Sequence, residues 1–239
     1  MNHINKGNPF PLGSTQTAQG VNFSLIATNA EYVEILLFEK EDSALPKTII
    51  KLDQNHNTGP YWHAEIKNLN NGCIYAFRVK QKCNAINNNY EKKVLLDPCS
   101  RGITGWGSYK RENALKIKEN TNSCLKSVVC DRKLFNFKDY PRPKHSWEDT
   151  IIYELHIKSF TESTDKDESC FKKFLKKIPY LKELGITTIE LLPIFCFDPT
   201  DAPNGLKIFG VIVQSIGLLH ILNTFLMNPP KRIERNLED

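Results

Sequence analysis

From Val21 onward the chain alternates: Val21, Phe23, Leu25 and Ala27 share one parity, and Asn22, Ser24, Ile26 and Thr28 share the other. Successive side chains of a strand point to opposite faces, so this period of two predicts a strand with one face in a core and the other in water. Val33, Ile35 and Leu37 repeat the pattern, and Tyr61 to Ile66 and Cys73 to Val79 predict two further strands joined by Asn68-Leu69-Asn70-Asn71-Gly72. Pro46 and His56-Asn57-Thr58-Gly59-Pro60 read as turns. Short strands separated by turn signals predict an all-β sandwich, immunoglobulin-like in arrangement, over residues 1–100.

Residues 101–146 lose this period. They carry Gly102, Gly105 and Gly107, then polar and basic residues, then Tyr140-Pro141-Arg142-Pro143. Proline continues neither a helix nor a central strand, so a surface linker is expected. A different pattern follows. Thr150 to Ile157 is strand-like, and Phe171, Phe174, Leu175, Ile178, Leu181 and Leu184 recur at helical spacing. Asp165 and Glu168 predict a capping box at the helix start, Pro179 a kink, and Gly185 the stop. Ile186 to Leu192 predicts a second strand closed by Pro193. A strand, helix and parallel strand form the building block of an α/β barrel or a doubly wound sheet.

At Lys207 the texture changes again, because Ile208 to Met227 contains no charged residue and Lys231-Arg232 follows it. Its length is near that of a membrane-crossing helix. Gln214, Ser215, His220, Asn223 and Thr224 interrupt it, which weighs against a span.

Composition narrows the partners. The net charge of +5 arises from lysines spread along the chain, and Lys172-Lys173 and Lys176-Lys177 read as a solvated helix face. No nucleic-acid partner is expected from such spacing. The seven cysteines form no CxxC pair and no cluster with zinc-ligand spacing, so reduced structural thiols and no metal are expected. The first residues lead into no apolar stretch of signal-peptide length, which points to the cytoplasm. Neither a phosphate loop, a dinucleotide glycine motif nor a Ser/His/Asp arrangement is present in a fitting context, so no cofactor is expected.

Several segments, taken in order, resemble a known family. Gly20-Val21-Asn22-Phe23-Ser24, Val33 to Phe38, Tyr61-Trp62-His63, Gly72 to Val79 and Leu95-Leu96-Asp97-Pro98 resemble the carbohydrate-binding module that precedes the barrel in debranching and branching enzymes. Ile152 to Thr161 resembles the first barrel strand of isoamylase-type enzymes of the α-amylase superfamily, glycoside hydrolase family thirteen. Lys177 to Pro193 resembles the helix and second strand, and Phe197-Asp198 through Lys207 the loop after it. The implied fold is a β-sandwich over 1–100, a linker over 101–146, and the first β-α-β unit of an incomplete (β/α)8 TIM barrel over 147–207. The implied activity is hydrolysis of α-1,6 branch points in glycogen or starch, with α-glucan as partner.

The family loop continues as N-Y-W-G-Y-S-P, which Ile208 to Ile216 does not match. If Lys207 to Ile216 is encoded AAA ATT TTT GGG GTT ATA GTC CAA TCA ATT and two nucleotides are dropped, the frame reads N-F-W-G-Y-S-P-I-N. Residues 208–239 are therefore expected to be out-of-frame text, with a membrane anchor as the lesser alternative. Sequencing the gene around codon 207 tests this, since restoring one nucleotide there must reopen the family frame.

Retaining glycosidases need two carboxylates about 5–5.5 Å apart across the scissile bond. In the family these groups follow barrel strands four, five and seven, whereas this chain supplies two strands and too few residues for a barrel of about 250. No catalytic residue is expected, and the chain is expected to be inactive. Glu154 and Glu190 form a conceivable carboxylate pair, but neither matches a family catalytic position. The substrate-binding candidates are Trp62 and Trp106, as flat platforms for a sugar face, and His156, Asp198 and Asp201, on the first strand and the loop after the second. A core or interface role competes for each tryptophan, packing for His156, and loop capping for the aspartates. The contrasting function is a glucan-binding module without hydrolysis.

Overall fold

The computed structural model describes residues 3–82, 92–116, 118–131, 143–161, 168–192, 194 and 198. The chain divides into two compact units, residues 1–134 and 135–239.

In the first unit, two antiparallel sheets build the sandwich. One sheet holds β1 (Ile4–Asn5), β2 (Gly13–Gln16), β3 (Gly20–Ile26), β6 (Asn57–Thr58) and β7 (Tyr61–Lys67) in the order β1-β7-β3-β2, with β6 beside β7. The other holds β4 (Ala30–Phe38), β5 (Thr48–Leu52), β8 (Ile74–Gln81), β9 (Gly102–Thr104) and β10 (Lys126–Val128) in the order β5-β4-β8-β10-β9. The expected strands are present as β3, β4, β7 and β8. Between the sheets lie Val21, Phe23 and Leu25, matched across β7 by Ile66, Ala64 and Trp62, and from the second sheet Val33, Ile35, Tyr75 and Phe77. Phe23 meets Tyr75 edge-on at 4.8 Å between ring centroids, and Tyr75 meets Phe77 at 5.7 Å. Aromatic pairs favour this geometry because a ring's positive edge faces its neighbour's negative face.

Each outer face is partly covered where the alternation predicts water. Asn22 and Ser24 are buried together with His63. The N-terminal segment lies across them: Asn22 accepts from the backbone N–H of Asn8 (2.8 Å) and donates to its carbonyl (3.0 Å), and Ser24 donates to the Pro9 carbonyl (2.6 Å). His63 Nδ1 donates to the Lys6 carbonyl at 2.8 Å, which leaves Nε2 to accept from the Thr58 hydroxyl at 2.8 Å. Gly7 permits the close crossing, since its φ is +70° and a β-carbon there would strike Asn22 and the β7 backbone.

The outer face of the second sheet has its own small core of Leu36, Phe38, Ala76, Val94 and Cys124. This corrects the expected linker. Residues 101–131 contribute β9, β10 and the short helix α1 (Arg111–Leu115), so the sandwich extends well past residue 100. The glycines of this stretch had masked two short strands whose pairing is supplied entirely by β8 and by each other.

In the second unit, β11 (Ile152–Leu155) pairs in parallel with β12 (Thr188–Leu191). Between them run α2 (Ile157–Phe160) and α3 (Cys170–Glu183). Leu155, Ile157, Phe171, Phe174, Leu181 and Ile186 form the core. The α3 cap is Ser169, whose side chain accepts from the Lys172 N–H; Asp165 of the expected capping box lies outside the described residues. The helix runs through Pro179 to Glu183 and ends on Gly185, whose φ of +86° lets the Ile186 N–H reach back to the Leu181 carbonyl at 3.0 Å. No helix among the described residues is long and apolar enough to cross a membrane, and residues 208–239 lie outside them.

Candidate functional site

Trp62 is not a sugar platform. Its register position opposite Leu25 turns the ring inward, where it is 2 % exposed and donates its indole N–H to the Ala27 carbonyl at 3.1 Å. Both the apolar ring and its one polar atom are thereby satisfied inside the sandwich.

Trp106 is placed differently. It sits in the turn after β9, half-buried, with its ring edge-on to Tyr109 at 5.7 Å. Its indole N–H is buried without an acceptor. The surrounding loops are tied together. Thr104 donates to the Glu41 carboxylate, the Lys110 N–H donates to the Ser123 carbonyl, and Asn113 donates to the Ser123 hydroxyl at 3.0 Å. Beneath them Lys126 is 0 % exposed, and its ammonium donates to the carbonyls of Glu41 (2.8 Å) and Thr121 (3.5 Å) and lies 4.9 Å from the centre of the Phe38 ring. Carbonyl dipoles and the negative ring face take the place of water around this charge.

These ties hold open a cleft of about 410 Å³ between the Ala44-Leu45 loop and residues 113–123. Asn120 forms its floor and is locked to Val94, accepting from its N–H at 2.8 Å and donating to its carbonyl at 3.2 Å. Sequence reading passed over this cleft. Its residues come from two distant segments without periodicity, and only the small polar run Asn120 to Ser123 marked a loop there.

A second buried polar centre lies inside the same unit. The Tyr75 hydroxyl donates to Asp97 at 2.5 Å, and the other carboxylate oxygen accepts from the Cys99 N–H at 2.8 Å. Burial pushes the Asp97 carboxyl above its ordinary range, partly offset by these donors, and burial also pushes the Tyr75 hydroxyl up. The hydroxyl donates into the carboxylate, so the pair fastens Asp97-Pro98 to β8.

In the second unit, His156 follows the C-terminal end of β11 and caps α2. Its Nδ1 accepts from the Ser159 N–H at 3.2 Å, so the neutral ring carries its proton on Nε2, which is buried without a partner. Glu154 and Glu190 are register partners on adjacent parallel strands, and both are exposed on the face opposite the α3 core. Asp198 is half-buried and engaged, and Asp201 lies outside the described residues. Among the described residues no group of three His, Cys, Asp or Glu side chains is placed to hold a metal ion.

Known proteins match both units. Residues 11–100 match carbohydrate-binding module 48, described as the isoamylase N-terminal domain. A glycogen debranching enzyme of Pectobacterium carotovorum is 29% identical over 212 residues, covering 81% of this chain and 30% of that protein. The glycogen operon protein GlgX homolog of Haemophilus influenzae is 27% identical over 206 residues, covering 80% of this chain and 29% of that protein. The chain thus spans less than a third of these relatives. Among solved structures, the catalytic module of the glycogen-degrading pneumococcal virulence factor SpuA superimposes with a TM-score of 0.57 at 21% identity, over 80% of this chain and 28% of that one. The Group B Streptococcus pullulanase SAP, solved with maltotetraose, gives 0.57 at 22% identity, over 78% and 24%. At such identities these structures support the fold alone. Residues 11–100 are thus similar to the isoamylase N-terminal module, and the chain as a whole is similar to the corresponding part of proteins named glycogen debranching enzyme.

Proposed function

We propose that the chain is an α-glucan-binding module joined to the opening β-α-β unit of a TIM barrel, and that these 239 residues bind branched glucan without hydrolysing it. The match of residues 11–100 to carbohydrate-binding module 48 carries this reading. Hydrolysis by the retaining route needs an acid and a nucleophile held about 5–5.5 Å apart and shielded from bulk water. Glu154 and Glu190 are neighbours, but both stand on an exposed strand face. On this reading His156 and Asp198 sit where a complete barrel presents its substrate, at the C-terminal ends of the strands. Among the described residues Cys73, Cys99, Cys124 and Cys170 are free thiols, which fits a reducing cytoplasm. Co-sedimentation of the full 239-residue chain with glycogen, alongside a reducing-end assay, tests both halves. Retention with no sugar release is expected; release by the purified chain overturns the claim of inactivity, and no retention overturns the claim of binding.

A further inference from the structure

We infer that the open face of the sheet formed by β11 and β12 is a docking surface for the α3 helix of a second copy of this chain, so that copies stack head to tail through their second units. This inference is independent of the glucan-binding reading.

The face lacks a cover that its strands call for. Ile152 and Glu154 of β11 and Thr188 and Glu190 of β12 are exposed on the side away from the α3 core. Register sets Ile152 beside Thr188 and Glu154 beside Glu190. Parallel strands are normally covered by helices on both faces, and here α3 covers one. The two carboxylates stand on neighbouring strands roughly 4.8 Å apart, so they repel each other and favour a cationic partner.

The same unit carries the complementary surface. α3 buries Phe171, Phe174, Ile178 and Leu181, and on its other side Lys172, Lys176 and Tyr180, spaced four apart, form one exposed ridge. Tyr180 is 54 % exposed. Lys176 pairs with Glu168 at 2.7 Å, but its side chain is 70 % exposed, and such a surface pair contributes little and leaves donors of the ammonium over. Positions four apart on a helix lie about 6 Å apart along its axis, and positions two apart on a strand about 6.8 Å. A ridge running antiparallel to β11 therefore sets Tyr180 over Ile152 while Lys176 meets Glu154 and Glu190. Apolar surface falls on apolar surface and cation on anion, and Lys172 extends the positive ridge by one turn.

Geometry also dictates the form of the assembly. α3 and the open face lie on opposite sides of a two-stranded sheet, so one partner cannot engage both surfaces of another. The contact is heterologous and repeats from copy to copy. Strands of 4 residues each offer a small patch beside the roughly 800 Å² per partner of a standard interface, so the association is weak, sensitive to salt and driven by concentration.

Sedimentation equilibrium of the 239-residue chain over a range of concentrations tests this. At low salt the average mass should rise past that of the dimer, and high salt should return it toward the monomer. The double variant Glu154→Lys, Glu190→Lys should associate at least about tenfold more weakly, and so should Lys172→Glu, Lys176→Glu, because each sets like charge against like. Mixing the two variants should restore association, since each then finds its opposite on the other. A constant monomer mass, a plateau at the dimer, reversal variants that associate like the unchanged chain, or a mixture that stays monomeric each overturns the docking. If a reversal variant loses the helical circular dichroism of the unchanged chain, Glu154→Gln, Glu190→Gln takes its place, and undiminished association in that variant overturns it equally.

Discussion

β3 and β11 are both short apolar strands, yet one is buried on two faces and the other on one. In β3 every residue from Gly20 to Leu25 is buried, because the second sheet covers one side and the N-terminal segment the other. In β11 Leu155 is buried against α3 while Ile152 remains 52 % exposed. Parallel strands are normally covered on both faces, since their crossovers place helices or further strands there. The sandwich therefore closes its own core, and the β-α-β unit presents an apolar and acidic face that its described residues do not cover. Burial, not strand propensity, is what distinguishes the two strands.

The largest effect should come from the sandwich core. Phe23→Ala removes a ring packed on Tyr75 and should cost about 3–5 kcal/mol of sandwich stability, read by urea unfolding. Amide exchange sharpens the contrast: β3 and β4 should be protected far more strongly than β11 and β12, and equal protection would break it.

A smaller effect is expected at Asp97. Tyr75→Phe leaves a buried carboxylate short of its donor and should cost about 1–3 kcal/mol. The pH dependence has a definite sign. A carboxyl whose folded value is raised binds its proton more tightly in the folded state, so its contribution is fully present below 3.8, its ordinary value. That contribution is lost as pH rises through the raised value. Asp97→Asn should remove this fall, seen as the difference between the two unfolding curves against pH.

The smallest effect belongs to the open face. Glu154 and Glu190 are adjacent like charges, so Glu154→Gln should raise the melting temperature of the second unit slightly. The gain should vanish at about 1 M salt, where screening shortens to a few ångströms. A gain that persists in salt would point to packing instead of charge.

Much of this was legible in the residues. The alternation of Val21, Phe23 and Leu25 placed the inner face of β3, and the helical spacing of Phe171, Phe174, Ile178 and Leu181 placed the buried stripe of α3. Such periods are local consequences of strand and helix geometry. The candidate site was less legible. Trp62 looked like a platform because an aromatic residue gives no sign of which way its register turns it, and the cleft at Asn122 joins segments some seventy residues apart.

The identities of β3, β4, β7, β8, β11 and β12, the helix α3 with its glycine stop, and the family resemblance were determined by sequence alone, because each depends on neighbours a few positions away. Tertiary structure decided that Asn22 and Ser24 lie under the N-terminal segment, that residues 101–131 complete the second sheet, and that Lys126 is caged by carbonyls. Those outcomes depend on which distant segment comes to cover a polar face, and a buried polar group selects that partner through the hydrogen bonds it cannot leave unmade.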